Sequence, residues 1–369
     1  MARIWLGAAL ALALAWGCAS EDSADTTTGA GASTASGPAS SSGSGAAGPA
    51  TTTVAATSST GSGMTILATC HDAPPPGAET PPPPMAYSGG TCPALAPGMN
   101  TITSDGSARQ FMLVVPDDLA EGETLPVVFL WHWLGANAND FFEKAEVQPA
   151  VNHYRFAAVI PESKDDVQFK WPFEIIQSQS RIDEELTFFD DMLACVAEQY
   201  QVNLSCVSSV GVSAGALFTA AVLAGGRGEY LASIQSLSGG TGGFIRAWEG
   251  SAHKMPALVL WGGPDDNCFG LMNFVETSHD LEQGLTSDGH FMIECVHNCG
   301  HAEPPLQVEG GATKFSALWE FALDHPYWLP AGESPYLQRG LPAAIPEWCS
   351  IGMGTATPRE GACTEEPGC

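Results

Sequence analysis

The sequence predicts an α/β fold, in which a mostly parallel central sheet is covered by helices on both faces. Three observations predict it. Short apolar runs recur along residues 104–328, segments with apolar residues at helical spacing separate them, and proline or glycine closes several of them. An alternation of buried strands and helices is typical of a parallel sheet, because each crossover returns the chain over one face.

The predicted strands are short and apolar. Residues 127–131 follow Pro126 and are apolar throughout, as expected of a strand buried on both faces. The other predicted strands are residues 110–115, 157–160, 207–210, 234–237, 257–260 and 292–295.

Three helices are predicted from apolar spacing. Residues 182–200 carry apolar side chains one turn apart, and residues 315–323 form a closing helix. A further helix over residues 213–223 is expected to stop at Gly225 and Gly226, because glycine is a frequent helix terminator.

The N-terminus predicts export. Arg3 precedes an apolar run over residues 6–16, which is too short to span a bilayer. Cys18 ends this run in a pattern similar to a bacterial lipoprotein signal, although Ala15 stands where leucine is usual. The chain has 11 cysteines, so lipidation of Cys18 would leave an even number for disulfides. Residues 1–18 are therefore predicted to be a lipoprotein signal peptide, with free secretion as the alternative.

Four further regions are predicted. Residues 19–64 are mainly Ser, Thr, Gly and Ala, a composition that cannot bury a core and indicates a disordered tether. Residues 65–103 are a Pro-rich lead-in bracketed by cysteines, and residues 104–328 are the α/β domain. Residues 329–369 are rich in Cys and Pro and are expected to pack on the domain through disulfides.

The charge balance excludes some partners. The chain has 41 acidic and 13 basic residues, which gives a formal charge of -28. This field repels phosphate backbones and anionic lipid, so we expect no nucleic-acid partner and membrane contact only through the N-terminal lipid. We make no prediction of the oligomeric state from the sequence.

The central motif is Gly-Val-Ser-Ala-Gly at residues 211–215, between a predicted strand and a predicted helix. A sharp strand-to-helix turn lifts a serine side chain above the edge of a sheet, and small residues permit that turn. Ser213 is therefore the predicted nucleophile. The alternative is a buried serine in a Gly-rich turn.

A serine nucleophile needs a base and an acid that orients the base. Asp265 and Asp266 follow the strand at residues 257–260, and Asp265 is preferred, with Asp266 as the alternate. They could also only cap a turn. His301 is the preferred base because it follows the last apolar strand. His297 is the competing candidate for the base. For both His297 and His132, the alternative interpretation is a hydrogen-bonded structural histidine.

Residues 295, 297, 299 and 301 alternate cysteine and histidine, both metal-ligand types. Their spacing is not that of a usual zinc site, and disulfides account better for cysteines in an exported chain. We expect neither a metal nor another cofactor.

The oxyanion of an acyl-transfer intermediate needs hydrogen-bond donors. One predicted donor is the backbone N–H of Ala214, which directly follows the nucleophile. The second is expected from the loop after residues 127–131, at Trp133 or Leu134.

Over residues 104–327 these pieces resemble the branch of the α/β-hydrolase superfamily that contains polyhydroxybutyrate depolymerases, feruloyl esterases and acetylxylan esterases. The resemblance rests on the order and spacing of several short motifs. They are Asp105-Gly106, Arg109, Val115-Pro116, Leu125-Pro126-Val127-Val128, His132, Tyr200-Gln201-Val202, the Ser213 motif, Gly300-His301, Trp319-Glu320-Phe321 and His325-Pro326.

The resemblance implies an exported serine esterase that acts on a polyester or on feruloyl or acetyl esters, with Ser213, Asp265 and His301 as its triad. A serine peptidase on the same scaffold and a non-catalytic surface-binding protein are the alternatives.

One departure concerns Trp133, because the family commonly has glycine directly after the loop histidine. A tryptophan there is costly if the position needs a positive φ. Trp131, Trp133 and Trp171 could form an aromatic platform for substrate or could be core residues. We also expect Cys268 to pair with Cys295 or Cys299, because the acid and histidine loops must meet.

Overall fold

The computed structural model describes residues 69–365 and residue 368. The predicted signal peptide, the lipidation site at Cys18 and the tether over residues 19–64 lie outside the described residues. Within the described part, none of the helices combines the length and the apolar character that a membrane crossing requires.

A single nine-stranded sheet forms the centre of the fold, in the order β1-β2-β4-β3-β5-β6-β7-β10-β11. Strands β4, β3, β5, β6, β7 and β10 run parallel, whereas β1, β2 and β11 are antiparallel to their neighbours. The strands are β1 Gly98–Ser104, β2 Ser107–Val114, β3 Leu125–Trp131, β4 Ala157–Pro161, β5 Val202–Val212, β6 Ser233–Leu237, β7 Ala257–Trp261, β10 Met292–Val296 and β11 Cys349–Ile351, with a separate hairpin of β8 Asn267–Cys268 and β9 Met272–Asn273.

Helices cover both faces of this sheet. They are α1 Ala138–Lys144, α2 Val147–Tyr154, α3 Gln179–Gln199, α4 Ala214–Phe218, α5 Ala224–Arg227, α6 Phe274–Asp288, α7 Ser316–Leu323 and α8 Tyr336–Arg339. Side chains of α3, α4 and α6 pack into one hydrophobic cluster, and those of α1, α2 and α7 pack into another. Alternate residues of the central strands contribute to each cluster, so the predicted α/β architecture is confirmed.

One predicted helix end is wrong. The helix that opens with Ala214 does not stop at Gly225 and Gly226, since a π-helical turn at Thr219–Leu223 joins α4 to α5, which ends at Arg227. Gly226 serves close packing instead: a Cβ there would lie 2.7 Å from a methyl carbon of Leu186 on α3.

Elements with polar or irregular sequences were not predicted. They include β1, α1, α2, α6 and β11. Asn273 caps α6 through its side chain, which accepts a hydrogen bond from the backbone N–H of Val275. Strand β11, which lies in the predicted tail, adds an edge to the sheet.

The described cysteines are all disulfide-bonded. Two disulfides, Cys70–Cys206 and Cys92–Cys195, tie the Pro-rich lead-in to the domain, and two more, Cys295–Cys349 and Cys299–Cys363, tie down the later segment. The prediction that Cys268 pairs with Cys295 or Cys299 is therefore wrong. Cys295 lies directly opposite Cys349 in the β10–β11 pair, which makes Cys349 the nearer partner.

Candidate active site

Ser213 occupies a strained turn between β5 and α4. Its φ is 53° and its ψ is -118°, a conformation that L-residues rarely adopt. Its backbone N–H donates to the carbonyl of Leu237 on the neighbouring β6, at 2.9 Å. The turn thus holds the serine side chain at the carboxyl edge of the parallel sheet.

A continuous hydrogen-bonded chain links Ser213 to a histidine and an aspartate. Nε2 of His301 lies 2.9 Å from Oγ of Ser213, and Nδ1 of His301 lies 2.8 Å from Oδ1 of Asp266. The three side chains follow β5, β7 and β10, whose carboxyl ends meet at the same edge of the sheet. The structure therefore brings the predicted nucleophile and base together.

The structure contradicts the preference for Asp265, because the side chain that contacts His301 is that of the alternate, Asp266. Asp265 ends a 3₁₀ turn, Gly263–Asp265, and its side chain is exposed to solvent. The N–H of Asp266 closes that turn on the carbonyl of Gly263. This geometry directs the next side chain, that of Asp266, into the protein, where it is fully buried.

The carboxylate of Asp266 has a complete set of donors. Besides His301, it accepts hydrogen bonds at Oδ2 from the N–H of Gly262 at 2.7 Å and from the hydroxyl of Ser238 at 2.8 Å. Hydrogen bonds of this kind stabilise the charged form of a buried carboxylate. Ser238 was not predicted from the sequence, where its only signal is its position directly after β6.

The loop that carries His301 is held from several sides. The N–H of Gly300 donates to the carbonyl of Gly262, and the N–H of Gly368 donates to the carbonyl of His301, both at 2.9 Å. The ring of Phe274, the first residue of α6, stacks on the imidazole with a centroid distance of 4.3 Å and an interplanar angle of 8°. These contacts fix the direction of the imidazole.

His297, the competing base, has a structural environment. It is fully buried, and its Nδ1 accepts a hydrogen bond from the N–H of Cys299 at 3.2 Å. Burial lowers the pKa of His297 to about 4. The cysteines beside it are in disulfides, so the alternating Cys and His residues over 295–301 do not form a set of metal ligands.

The candidate oxyanion donors lie beside Ser213. Ala214 is the first residue of α4, so its N–H has no acceptor within the helix. A Cβ at Gly215 would lie 2.1 Å from the carbonyl oxygen of Trp131, so only glycine allows α4 to approach the end of β3 this closely. Trp133 and Leu134, in the loop after β3, line the same cavity as Ser213.

Trp133 causes no backbone strain. Its φ is not positive, and the left-handed φ in this loop belongs to Gly135, at 80°. The loop therefore makes its left-handed turn at Gly135, two residues after the position where the resemblance predicts glycine. A tryptophan at position 133 consequently carries no cost from a positive φ.

Two of the three tryptophans proposed as a substrate platform are core residues. Trp131 and Trp171 are fully buried and pack edge to face at 5.1 Å, so the platform prediction is wrong for them. The indole N–H of Trp171 donates to the carbonyl of His132 at 2.9 Å, which anchors the loop that carries Trp133. Trp133 itself is half-buried and lines the cavity.

Two cavities meet at Ser213. The larger, of about 450 Å³, is mostly apolar and has Lys144 and Glu303 among its lining residues. Nζ of Lys144 lies 3.3 Å from Glu303 and 5.7 Å from the centre of the Trp133 ring. The smaller, of about 30 Å³, is lined largely by aromatic and aliphatic residues: Leu134, Phe169, Phe173, Ala214, Leu217, Phe244, Cys268, Phe269, Leu271, Met272 and Phe274.

The sheet order and the strand–Ser213–helix turn define an α/β-hydrolase fold, with a Ser–His–Asp arrangement at the carboxyl edge of its sheet. Solved structures share the fold. Native pOPH has a TM-score of 0.58 and 16% identity over 71% of this chain and 97% of its own. Native sOPH has a TM-score of 0.56 and 18% identity over 73% of this chain and 98% of its own.

The likeness in sequence is weaker than the likeness in structure. No family model matches the chain, and no curated protein matches it. The prediction of an α/β-hydrolase fold is confirmed, and the resemblance to that superfamily is confirmed at the level of the fold.

Proposed function

We propose that this protein is an exported serine hydrolase that cleaves carboxylic esters through an acyl-enzyme, with Ser213 as nucleophile, His301 as base and Asp266 as the acid. The hydrogen-bonded chain from Ser213 through His301 to Asp266 carries this proposal. A serine in a strained elbow with a base at 2.9 Å has the geometry that nucleophilic catalysis needs.

In the proposed reaction, Nε2 of His301 accepts the Ser213 proton as Oγ attacks the ester carbonyl. The imidazolium then gives that proton to the leaving alcohol. Water, activated by the same nitrogen, attacks the acyl-enzyme and restores the serine hydroxyl. Asp266 holds Nδ1–H in place and stabilises the imidazolium, and the two donors at its second oxygen hold the carboxyl group in position.

The negative oxygen of the tetrahedral intermediate would lie between the N–H of Ala214 and an N–H of the Trp133–Leu134 segment. The contact of Gly215 with β3 supports this assignment, because it brings the start of α4 to that loop. The anchor from Trp171 to His132 supports it as well, since a fixed donor needs no reorganisation during the reaction.

The cavities favour an ester with one bulky apolar side. The larger cavity has the size and apolar lining of a small-molecule site, whereas the smaller one admits only a few atoms. Feruloyl esters, acetyl esters of a bulky alcohol and short polyester segments are the candidate substrates. The disulfides support export, because such bonds persist in oxidising compartments.

The test compares hydrolysis of p-nitrophenyl acetate, p-nitrophenyl butyrate, methyl ferulate and a polyhydroxybutyrate suspension, together with labelling by a fluorophosphonate. We expect turnover and labelling in the wild-type protein and neither in Ser213→Ala. Asp265→Asn is the matched control, since the exposed neighbour of Asp266 should leave both intact. A folded wild-type protein that is neither labelled nor active on any of the four would contradict the proposal.

A further inference from the structure

A second cluster of polar side chains lies on the α6 side of the sheet. It contains His279 and Glu282 on α6, one helical turn apart, and Glu294 on β10. One ligand-type atom from each residue, an imidazole nitrogen or a carboxylate oxygen, lies within 4.8 Å of the other two. None of the three takes part in the proposed reaction.

Glu282 lacks the partners that a buried carboxylate normally has. Its side chain is fully buried; Oε1 accepts one hydrogen bond, from the indole N–H of Trp261 at 3.3 Å, and Oε2 has no partner. Burial and the nearby Glu294 raise the pKa of Glu282 to about 8. Two buried acidic groups that face each other are costly, unless a proton or a cation lies between them.

Glu294 is held in place for such a role. It is buried, and one of its oxygens, Oε2, accepts a hydrogen bond from the N–H of Ala356 at 2.9 Å. His279 is exposed, and its ring meets the Trp261 indole edge to face at 4.9 Å. The cluster thus has two buried carboxylates and one imidazole at its solvent side, which gives an ion a route of entry.

We propose that His279, Glu282 and Glu294 bind one divalent cation of the zinc class. Zinc lies about 2.0–2.2 Å from imidazole nitrogen and carboxylate oxygen, so its ligand atoms are about 3–4 Å apart. The three ligand-type atoms lie within 4.8 Å of one another, so they would have to close slightly on the ion. A nitrogen ligand with two carboxylates favours zinc over calcium or magnesium, which prefer oxygen alone. Water would complete the coordination.

The cation would join α6 to β10 on the face of the sheet that α6 covers. Because α6 begins at Phe274, which stacks on His301, this link also steadies one wall of the candidate active site. The role assigned to the ion is structural, and no step of the proposed reaction passes through it.

The experiment uses the purified protein with its disulfides intact, treated with EDTA and dialysed. Zinc chloride is titrated by calorimetry, and thermal unfolding is followed with and without zinc at about a hundred times the dissociation constant. We expect one ion per chain and a rise in Tm of about 5 °C, with no such rise for magnesium. Absence of any heat or Tm change with zinc would overturn the proposal.

Variants separate this site from adventitious surface binding. His279→Gln and Glu282→Gln should each weaken zinc affinity by at least about tenfold, whereas Glu276→Gln, an exposed position on the same helix, should bind as wild type. His279 is exposed, so its variant should fold normally even if Glu282→Gln does not. Equal affinity in His279→Gln and the wild type would show that the ion binds elsewhere and that Glu282 is simply a protonated buried acid.

Discussion

His297 and His301 lie in the same loop, and both are buried, yet their surroundings differ. His301 is 8% exposed and has a carboxylate on one ring nitrogen and a serine hydroxyl on the other. His297 is fully enclosed, accepts one backbone hydrogen bond and has no partner at Nε2. His301 thus lies between a hydroxyl and a carboxylate, whereas the side chain of His297 contacts neither kind of group.

The difference shows that a loop position does not by itself make a histidine a base. What distinguishes the two histidines is a neighbouring carboxylate, and Asp266 reaches His301 because a 3₁₀ turn directs its side chain inward. Variants of the two histidines, of Asp266 and of its donor Ser238 test the difference between His297 and His301, as does a change of pH.

The largest effect is expected from the histidines. His301→Gln should lower kcat on p-nitrophenyl butyrate by up to about 10⁶-fold, because the base of a triad is lost. His297→Gln should stay within about tenfold of the wild type, since no reacting atom touches it. Steady-state kinetics on both variants decides the matter, and a comparable loss in each would reverse the two roles.

The acid should have the next largest effect. Asp266→Asn should reduce kcat by about 10⁴-fold, because an amide favours the wrong imidazole tautomer. Asp265→Asn is the matched control, and we expect no more than a small change there. If Asp265→Asn caused the larger loss in kcat, Asp265 and not Asp266 would be the residue that orients His301 during catalysis.

A smaller effect is expected at Ser238, which donates to the outer oxygen of Asp266. Ser238→Ala should reduce kcat/KM by about tenfold, the value of one hydrogen bond to a charged group. Ser236→Ala removes a buried hydroxyl from β6, the strand that Ser238 follows; this hydroxyl has no hydrogen-bond partner, and its loss should leave kcat/KM unchanged. Circular dichroism would confirm that both variants fold, and equal kinetics in the two would contradict the assignment.

The smallest effect concerns stability at low pH. The pKa of His297 is about 4 in the folded protein against an ordinary 6.5, because burial, together with the smaller effects of Arg359 and His301, outweighs the opposing charge of Asp266. Between these values the unfolded chain binds a proton that the folded one does not. His297 therefore does not lower the free energy of unfolding above about pH 6.5. It lowers that free energy progressively as the pH falls from about 6.5 towards 4.

Urea unfolding at about pH 7 and about pH 4.5 measures this contribution. The free energy of unfolding should fall less in His297→Gln than in the wild type between the two conditions, because glutamine does not titrate. An equal fall in both proteins would show that His297 is not a source of the acid sensitivity.

Much of the candidate site could be predicted from the sequence, because its strongest signals are local. The Gly-Val-Ser-Ala-Gly motif depends on one turn, and His301 depends on its place after an apolar strand. The choice between Asp265 and Asp266 was not predictable in this way, since it depends on the rotation of a single 3₁₀ turn.

Long-range contacts were the other limit. The partner of Cys295 lies on β11, in a segment without regular periodicity, so nothing local indicated that Cys349 would meet β10. Trp131 and Trp171 were ambiguous for a related reason, because an aromatic side chain looks the same in a core as in a binding site. Only the packing around them shows that they support the His132 loop.

The segment after residue 348 has a consequence for the order in which this protein matures. Cys349 and Cys363 fasten β10 and the histidine loop, and the N–H of Arg359 donates to Val296 at 2.9 Å. All of these partners are synthesised well after His301. A nascent or reduced chain therefore lacks the two covalent links that hold β10 and the loop carrying His301.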